Sequence, residues 1–446
     1  MNAPLTTGAL TPANAFSRPR LWQAWLSVEA ALAEAQAEIG MIPDWAAREI
    51  ADKANLEHLD LAVLEASSAR VMAPIAALVR HLSEATGEAG GYVHWGATTQ
   101  NVMQTGRVLL VRDVQREIRR GLGRILTLLS DWAETHAATV TAGRTNNRHA
   151  LPITFGFKAA GWIAELSRQI ERFDAAEAQL YQLHFGGAIG AMHAYGSDGP
   201  ALCEALARRL GLSAALVPDR VSLDGLAGYV LSMGLFASGA GRIASELYDL
   251  MRDEISEVSE DLGHHVVGSS TMPHKVNPKY VVDVLACGAR VRALAAPAME
   301  AAMPQHEGDA ACNQLMANTL DSAASLGWEL VIRLEKCLGK ILIHPEAMAR
   351  NLSLSAEVIA TENLMMILAP RIGRTQAHDL VHEAIAKYLS GQGCLRDLLL
   401  SDARISAVIS PADLGAALDP SNYLGESASI ARQAAASGRQ IAARLL

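Results

Sequence analysis

Aromatic residues are scarce, 5% of a 446-residue chain whose apolar share is 50%. Alanine and leucine must therefore do most of the packing, which suits close helix–helix contacts better than a β sandwich. No uncharged apolar run reaches about 18 residues, which argues against a transmembrane helix. The opening MNAPLTTGALTPANAF has neither a basic n-region nor an apolar h-region, so a secretory signal is not expected. The five cysteines (Cys203, Cys287, Cys312, Cys337 and Cys394) are odd in number and widely spaced, with no CxxC pair and no disulfide framework. A reducing cytoplasm is the expected compartment. The net charge is −9 and no Lys/Arg block stands out. Nucleic acid and membrane are therefore not expected as partners, and a site for an anionic substrate must carry its own positive charge. Internal repeats and low-complexity tracts are missing. Strand signals are nearly absent, with one short extended piece expected in GGYVHWGATTQ.

Helical signals are plentiful. Val111, Val114, Ile118, Leu122, Ile125, Leu129 and Trp132 follow one another at helical spacing and predict a single long helix over 107–138. At about 1.5 Å per residue it is on the order of 45 Å long. Gly121 and Gly123 weaken it locally. Residues 153–183, 222–260, 278–300 and 311–340 also read as long helices, and long helices with short connections suggest a bundle. The flanks read as shorter helices. One covers 20–39 and stops at Gly40 and Pro43; another starts at Ser410-Pro411, an N-cap followed by proline at the first helical position. The length is ample for a buried core, and roughly 150 residues per domain predicts two or three domains. The expected division is an N-terminal helical domain 1–106, a central long-helix bundle 107–350 and a C-terminal helical domain 351–446.

Three loops carry the chemistry. Gly268-Ser269-Ser270-Thr271-Met272-Pro273-His274-Lys275-Val276-Asn277-Pro278 sets hydroxyls, an imidazole, an ammonium and an amide between prolines. It resembles the GSSxMPxKxN signature of the fumarase/aspartase superfamily. His94-Trp95-Gly96-Ala97-Thr98-Thr99-Gln100-Asn101 resembles the HWGATSQD loop of that superfamily's 3-carboxy-cis,cis-muconate cycloisomerase and adenylosuccinate lyase branch. Gly143-Arg144-Thr145-Asn146-Asn147-Arg148-His149-Ala150-Leu151-Pro152 resembles its GRTHxQHAxP loop. The Gly186–Gly190 run and the tail from Asn351 to Val381 extend the likeness from about Phe16 to about residue 430.

The resemblance implies an all-α, three-domain protomer whose central long-helix bundle joins three others in a homotetramer core of about twenty helices. Active sites would be shared between subunits, with no metal and no organic cofactor. It also implies an enzyme, a lyase or cycloisomerase acting on a small anionic substrate. A proton α to a carboxylate is weakly acidic, so its removal needs a base and preorganised positive charge for the aci-carboxylate dianion. By carry-over Ser269 is the base and Lys275 lowers its pKa and holds the dianion, with Asn277 donating to a carboxylate. Ser270, Thr271 and Met272 line the same loop, its backbone N–H groups forming an anion nest. Thr98, Thr99, Gln100, Thr145, Asn146 and Arg148 bind the substrate. The Gly263–Gly268 segment reads as a hinged lid. Its His264-His265 pair is no metal site, because adjacent side chains point apart and no third ligand lies nearby.

Four departures stand against the pattern. Asn146 replaces the superfamily's histidine and cannot act as a general acid; His149 nearby is either the acid or a hydrogen-bonded structural histidine. Arg148 replaces a glutamine and fits a substrate anion or an intersubunit ion pair. Asn101 replaces an aspartate. Met303-Pro304-Gln305-His306-Glu307-Gly308-Asp309 stands where relatives show EHxR, without the arginine. The leading reading is a cofactor-free β-elimination on a succinyl-type di- or tricarboxylate that releases fumarate. The alternatives are muconate-type cycloisomerisation, then adenylosuccinate lyase, then a non-catalytic scaffold of the same fold.

Overall fold

The computed structural model describes residues 9–263, 271–272 and 274–446. Ser269, Ser270, His264 and His265, all named above, lie outside the described residues, as does most of the expected lid. The chain is mostly helical. It divides into two compact units: Met1–Gly121 with Arg168–Gly241 and Leu285–Arg333, and Leu122–Ser167 with Arg242–Val284 and Leu334–Leu446. No described helix is long and apolar enough to cross a membrane.

Helix α1 (Arg18–Glu38) buries Trp22, Trp25, Leu26 and Leu32 in the core of the first unit. Helix α2 (Thr99–Thr135) begins in the first unit and ends in the second, and buries Val111, Val114, Ile118, Leu122, Ile125 and Leu129 completely. It runs unbroken through Gly121 and Gly123. The buried stripe outweighs the roughly 1 kcal/mol that a helical glycine costs. Its start precedes the expected 107, because the carbonyl of Thr98 already accepts from the N–H groups of Asn101 and Val102. The stretch 90–100, expected to hold a short extended piece, forms no strand: it starts in a 3₁₀ turn (Gly87–Tyr92) and ends in the first residues of α2.

Strands β1 (Val140–Thr145) and β2 (Arg148–Thr154) form an antiparallel hairpin where the sequence showed only a loop. Helix α3 (Phe155–Leu180) follows, and its Trp162 packs edge-on against Phe155 at 6.2 Å. Helix α4 (Asp224–Leu250) buries Tyr229, Met233, Phe236, Ala240, Ile243 and Leu247 at helical spacing. It stops ten residues short of the expected 260. Ser256 takes a left-handed turn (φ 51°), and β3 (Val258–Glu260) then pairs with β4 (Ile341–Ile343). The helix expected over 278–300 is broken in two. Helix α5 (Tyr280–Ala293) ends before a short helix, Ala295–Ala301. Pro297 explains the break, since in a continuous helix its ring would meet the carbonyl four residues earlier. Helix α6 (Ala310–Leu338), helix α7 (Pro345–Ser353) and the last helix, α8 (Ser427–Leu445), complete the frame. In the tail, Ser410 caps its helix as the sequence predicts, its Oγ accepting from the Asp413 N–H at 3.1 Å.

Glu257, next to β3, has a side chain with no exposed surface. Arg144 of β1 donates to both of its oxygens (2.5 and 3.1 Å). Thr141 Oγ1 (3.3 Å) and Asn351 Nδ2 of α7 (2.9 Å) complete its shell. A buried carboxylate is tolerated only with such compensation. Removing its charge leaves Arg144 without its counter-ion. Glu257→Gln is therefore expected to lower stability by about 3–5 kcal/mol, read as a fall in the urea midpoint with unchanged slope. A loss under about 1 kcal/mol, the range of an exposed pair, would show that the pair does not hold the hairpin.

Candidate active site

In the first unit the loop 94–101 is held from beneath. Glu29 of α1, with no exposed surface, meets His94 Nδ1 at 2.6 Å. Burial opposes a charge on His94. The hydrogen bond and the negative charge of Glu29 together outweigh it, so the imidazole pKa is raised. Gln36 Nε2 donates to the Trp95 carbonyl at 2.8 Å. Asn101, nearly fully buried, donates through Nδ2 to the His184 carbonyl (3.0 Å) and accepts the Gly187 N–H on Oδ1 (3.1 Å). That pairing fixes the loop to the Gly186–Gly190 run. The run in turn backs onto the 218–220 segment. Gly190 has φ 88°, and a Cβ there would lie 2.6 Å from Asp219 Cα, so only glycine fits. Thr98 and Gln100 are half-buried and Thr99 is exposed. Gln100 Nε2 donates to Gln104 Oε1 at 3.2 Å.

In the second unit Thr145, Asn146, Asn147 and Arg148 form the exposed tip of the hairpin. Asn146 (φ 51°) and Asn147 (φ 60°) are both left-handed, which makes this a type I′ turn. His149 is half-buried, with Nδ1 2.8 Å from Ser355 Oγ. Burial, then the charge of Arg144, lowers its pKa, with Glu257 opposing and Arg148 assisting. His149 is neutral at neutral pH, a state suited to a base or a neutral donor rather than a cationic acid. The signature loop is anchored at both ends. Glu260 of β3 accepts the N–H groups of Lys279 (2.6 Å), Tyr280 (3.1 Å) and Val281 (2.8 Å), capping α5. Asp261 Oδ2 accepts from Lys340 Nζ at 3.1 Å. Within the loop Thr271, Met272 and Lys275 are exposed and Asn277 is half-buried; the Lys275 N–H donates to the Met272 carbonyl at 3.0 Å.

A cavity of about 260 Å³ in the first unit is lined by Gln104, Gln179, His184, Asp219, Ser222 and Asp224 among others. Its fixed charges are carboxylates, so it does not suit a dianion. The residues named from the sequence lie instead on the three loops. The family model for lyase matches residues 10–292, and that for the adenylosuccinate lyase C-terminus matches 357–434. The chain is an enzyme of the fumarase/aspartase superfamily. A 3-carboxy-cis,cis-muconate cycloisomerase of Pseudomonas aeruginosa is 36% identical over 416 residues, covering 92% of this chain and 90% of its own. Trans-aconitate decarboxylase 1 of Mycosarcoma maydis is 32% identical over 432 residues, covering 95% of this chain and 88% of its own. The crystal structure of a fumarate lyase from Mesorhizobium sp. BNC1 superposes with TM-score 0.88 at 30% identity, over 95% of this chain and 97% of that one.

Within this superfamily member the departures acquire local reasons. Asn146 stands where the backbone must be left-handed, a conformation asparagine tolerates. Asn101 has to donate and accept at once, which an ionised aspartate cannot do. Asp309 caps α6, its Oδ1 accepting from the N–H groups of Ala311 (2.9 Å) and Cys312 (3.2 Å). Glu29, Glu257 and Glu260 belong to none of the three sequence motifs. Glu29 left a trace in the sequence: it shares the apolar stripe of α1 with Trp22, Trp25 and Leu32, an odd place for an unpaired carboxylate. Glu257 and Glu260 left none, because their partners are remote in sequence.

The raised pKa of His94 fixes a sign. Its charge stabilises the fold fully below the ordinary imidazole value, about 6.5. That contribution disappears as pH rises through the elevated folded value. The thermal midpoint of wild type should exceed that of His94→Gln most below about pH 6.5, with the gap narrowing as pH rises. A gap constant from about pH 5.5 to 9 would mean that His94 does not ionise against Glu29.

Proposed function

We propose that the chain catalyses β-elimination on a succinyl-type di- or tricarboxylate without a cofactor, releasing fumarate through an aci-carboxylate intermediate. The signature loop carries this reading. It holds a serine pair, Lys275 and Asn277 between β3 and α5, whose ends Glu260 ties together. Ser269 Oγ, as the alkoxide favoured by the Lys275 charge, takes the proton α to a carboxylate and becomes the neutral hydroxyl, and the C–H electron pair moves into that carboxylate. Lys275 and Asn277 hold the resulting dianion, with Ser270, Thr271 and Met272 lining the nest. Collapse of the dianion forms the double bond and expels the β substituent. Thr98, Thr99, Gln100, Thr145, Asn146 and Arg148 bind the carboxylates, and His149 is the proton carrier nearest to them in sequence. A leaving group that departs as an anion suits this set, because Asn146 has no proton to give and His149 is neutral.

The same reading makes the working unit a cytoplasmic homotetramer of three-domain protomers with sites shared between subunits. Two observations support it. The long helices leave apolar side chains uncovered, Leu235 and Tyr248 on α4 and Ile332 on α6. The candidate substrate residues Thr99, Arg148 and Lys275 are exposed in one chain. A second reading, cycloisomerisation of a muconate-type tricarboxylate, is favoured by the missing acid at 146. It uses the same dianion, with an internal carboxylate as the β substituent.

The two readings part on product. Succinyl compounds carrying amine, thiol or carboxylate-bearing β substituents, and in parallel a carboxymuconate, would be mixed with enzyme, and fumarate and lactone followed by chromatography. Fumarate is expected, and Ser269→Ala should cut turnover by about two to four orders of magnitude while leaving the assembly intact. Retention of more than about a tenth of the activity, under about 1.4 kcal/mol of barrier, removes Ser269 as the base. Lactone without fumarate hands the protein to the second reading.

A further inference from the structure

The guanidinium of Arg220 is held but not neutralised. Its Nη1 donates to the Ala188 carbonyl at 2.9 Å, inside the glycine run. Its flat face lies on Gly308: a Cβ there would come within 3.3 Å of both the guanidinium carbon and Nε. Gly308 thus lets the group rest on bare backbone. Nε is buried and has no hydrogen-bond partner among the described residues. The adjacent Asp219 carboxylate is already committed to the N–H groups of Val221 (2.9 Å) and Ser222 (2.8 Å) and to Ser222 Oγ (2.8 Å). No carboxylate among the described residues pairs with Arg220. A half-buried guanidinium with a single tether and no carboxylate partner among the described residues keeps donors free for an anion.

Its tether says which anion. Ala188 is next to Gly187, whose N–H is bonded to Asn101 in the 94–101 loop. Arg220 is therefore a fixed positive charge on the glycine run that holds the 94–101 loop, whose own side chains at 98–100 are neutral. Lys275, on the signature loop, belongs to the other unit. We infer that Arg220 binds a third carboxylate of the substrate, beyond the two of the succinyl unit and remote from the carbon that loses its proton, making this a site for a tricarboxylate rather than a dicarboxylate. The inference rests on the elimination reading only for naming that carbon. The missing arginine of the 303–309 segment is then matched by one from 220, which reaches that segment at Gly308.

The test reads binding rather than turnover. Tricarballylate and succinate would be titrated calorimetrically into the full-length chain. Wild type is expected to bind tricarballylate more tightly than succinate. Arg220→Gln should weaken tricarballylate by about tenfold or more and succinate by less than about twofold, and Arg220→Lys should recover part of the loss. Equal weakening of both ligands, weakening of neither, or no preference in wild type overturns the inference. So does a lowered thermal midpoint with unchanged tricarballylate affinity per folded site, which would make Arg220 a clamp on the glycine run. If Arg220 proves to discriminate the two ligands while no succinyl compound is turned over, the elimination reading fails and the anion site stands.

Discussion

Glu257 is a carboxylate shut away from water, and the second unit is organised around satisfying it. Its four donated hydrogen bonds come from two separate segments: Thr141 and Arg144 on β1, and Asn351 on α7. Each of these must be in place for the charge to be tolerated. The hairpin that presents Thr145–His149 and the strand that carries Glu260 are therefore fixed by one buried pair. Glu260 passes that order on by capping α5, so the signature loop begins and ends on the same short piece of sheet. A mostly helical protein has few other means of positioning loops. Its small strands, three two-stranded pairs among the described residues, occur beside them.

The first unit solves the same problem with small residues instead of charge. The Gly186–Gly190 run is packed between the 94–101 loop and the 218–220 segment, and each contact is backbone against backbone or backbone against one polar side chain. Charge enters at its margins. Glu29 and His94 lie under the loop; Arg220 lies beside the run. The loops of the two units thus carry different polar groups: neutral donors and a guanidinium in the first, an ammonium and an amide in the second.

Long-range apolar periodicity was the most legible part of the sequence. The stripe from Val111 to Leu129 is buried as its spacing demands, and the ends of α1, α3 and α6 fall within a few residues of expectation. What could not be read was where a helix yields to a tertiary demand. Residues 251–260 continue the apolar pattern of α4, yet the chain turns at Ser256 so that Glu257 can reach Arg144. Nothing local announces that. The hairpin was hidden for another reason: its strands carry Gly143 and Pro152, poor strand formers, and its turn, Asn146-Asn147, resembled an altered catalytic loop. The substitution of histidine at 146 looked purely chemical in the sequence. The backbone shows a steric requirement at the same position, and the two readings of it are compatible.

The capping of α5 by Glu260 has a consequence for variation within the superfamily. A chain segment whose ends are pinned to each other pays for extra length only logarithmically, about 0.6 kcal/mol for each doubling. Between Asp261 and Gly268, ahead of the signature residues, a change in length would cost little by this measure while the anchor is kept. Changing Glu260 instead exposes three N–H groups at a helix start and releases both ends at once. Length changes ahead of the signature thus cost this chain less than loss of the one carboxylate that caps the helix after it.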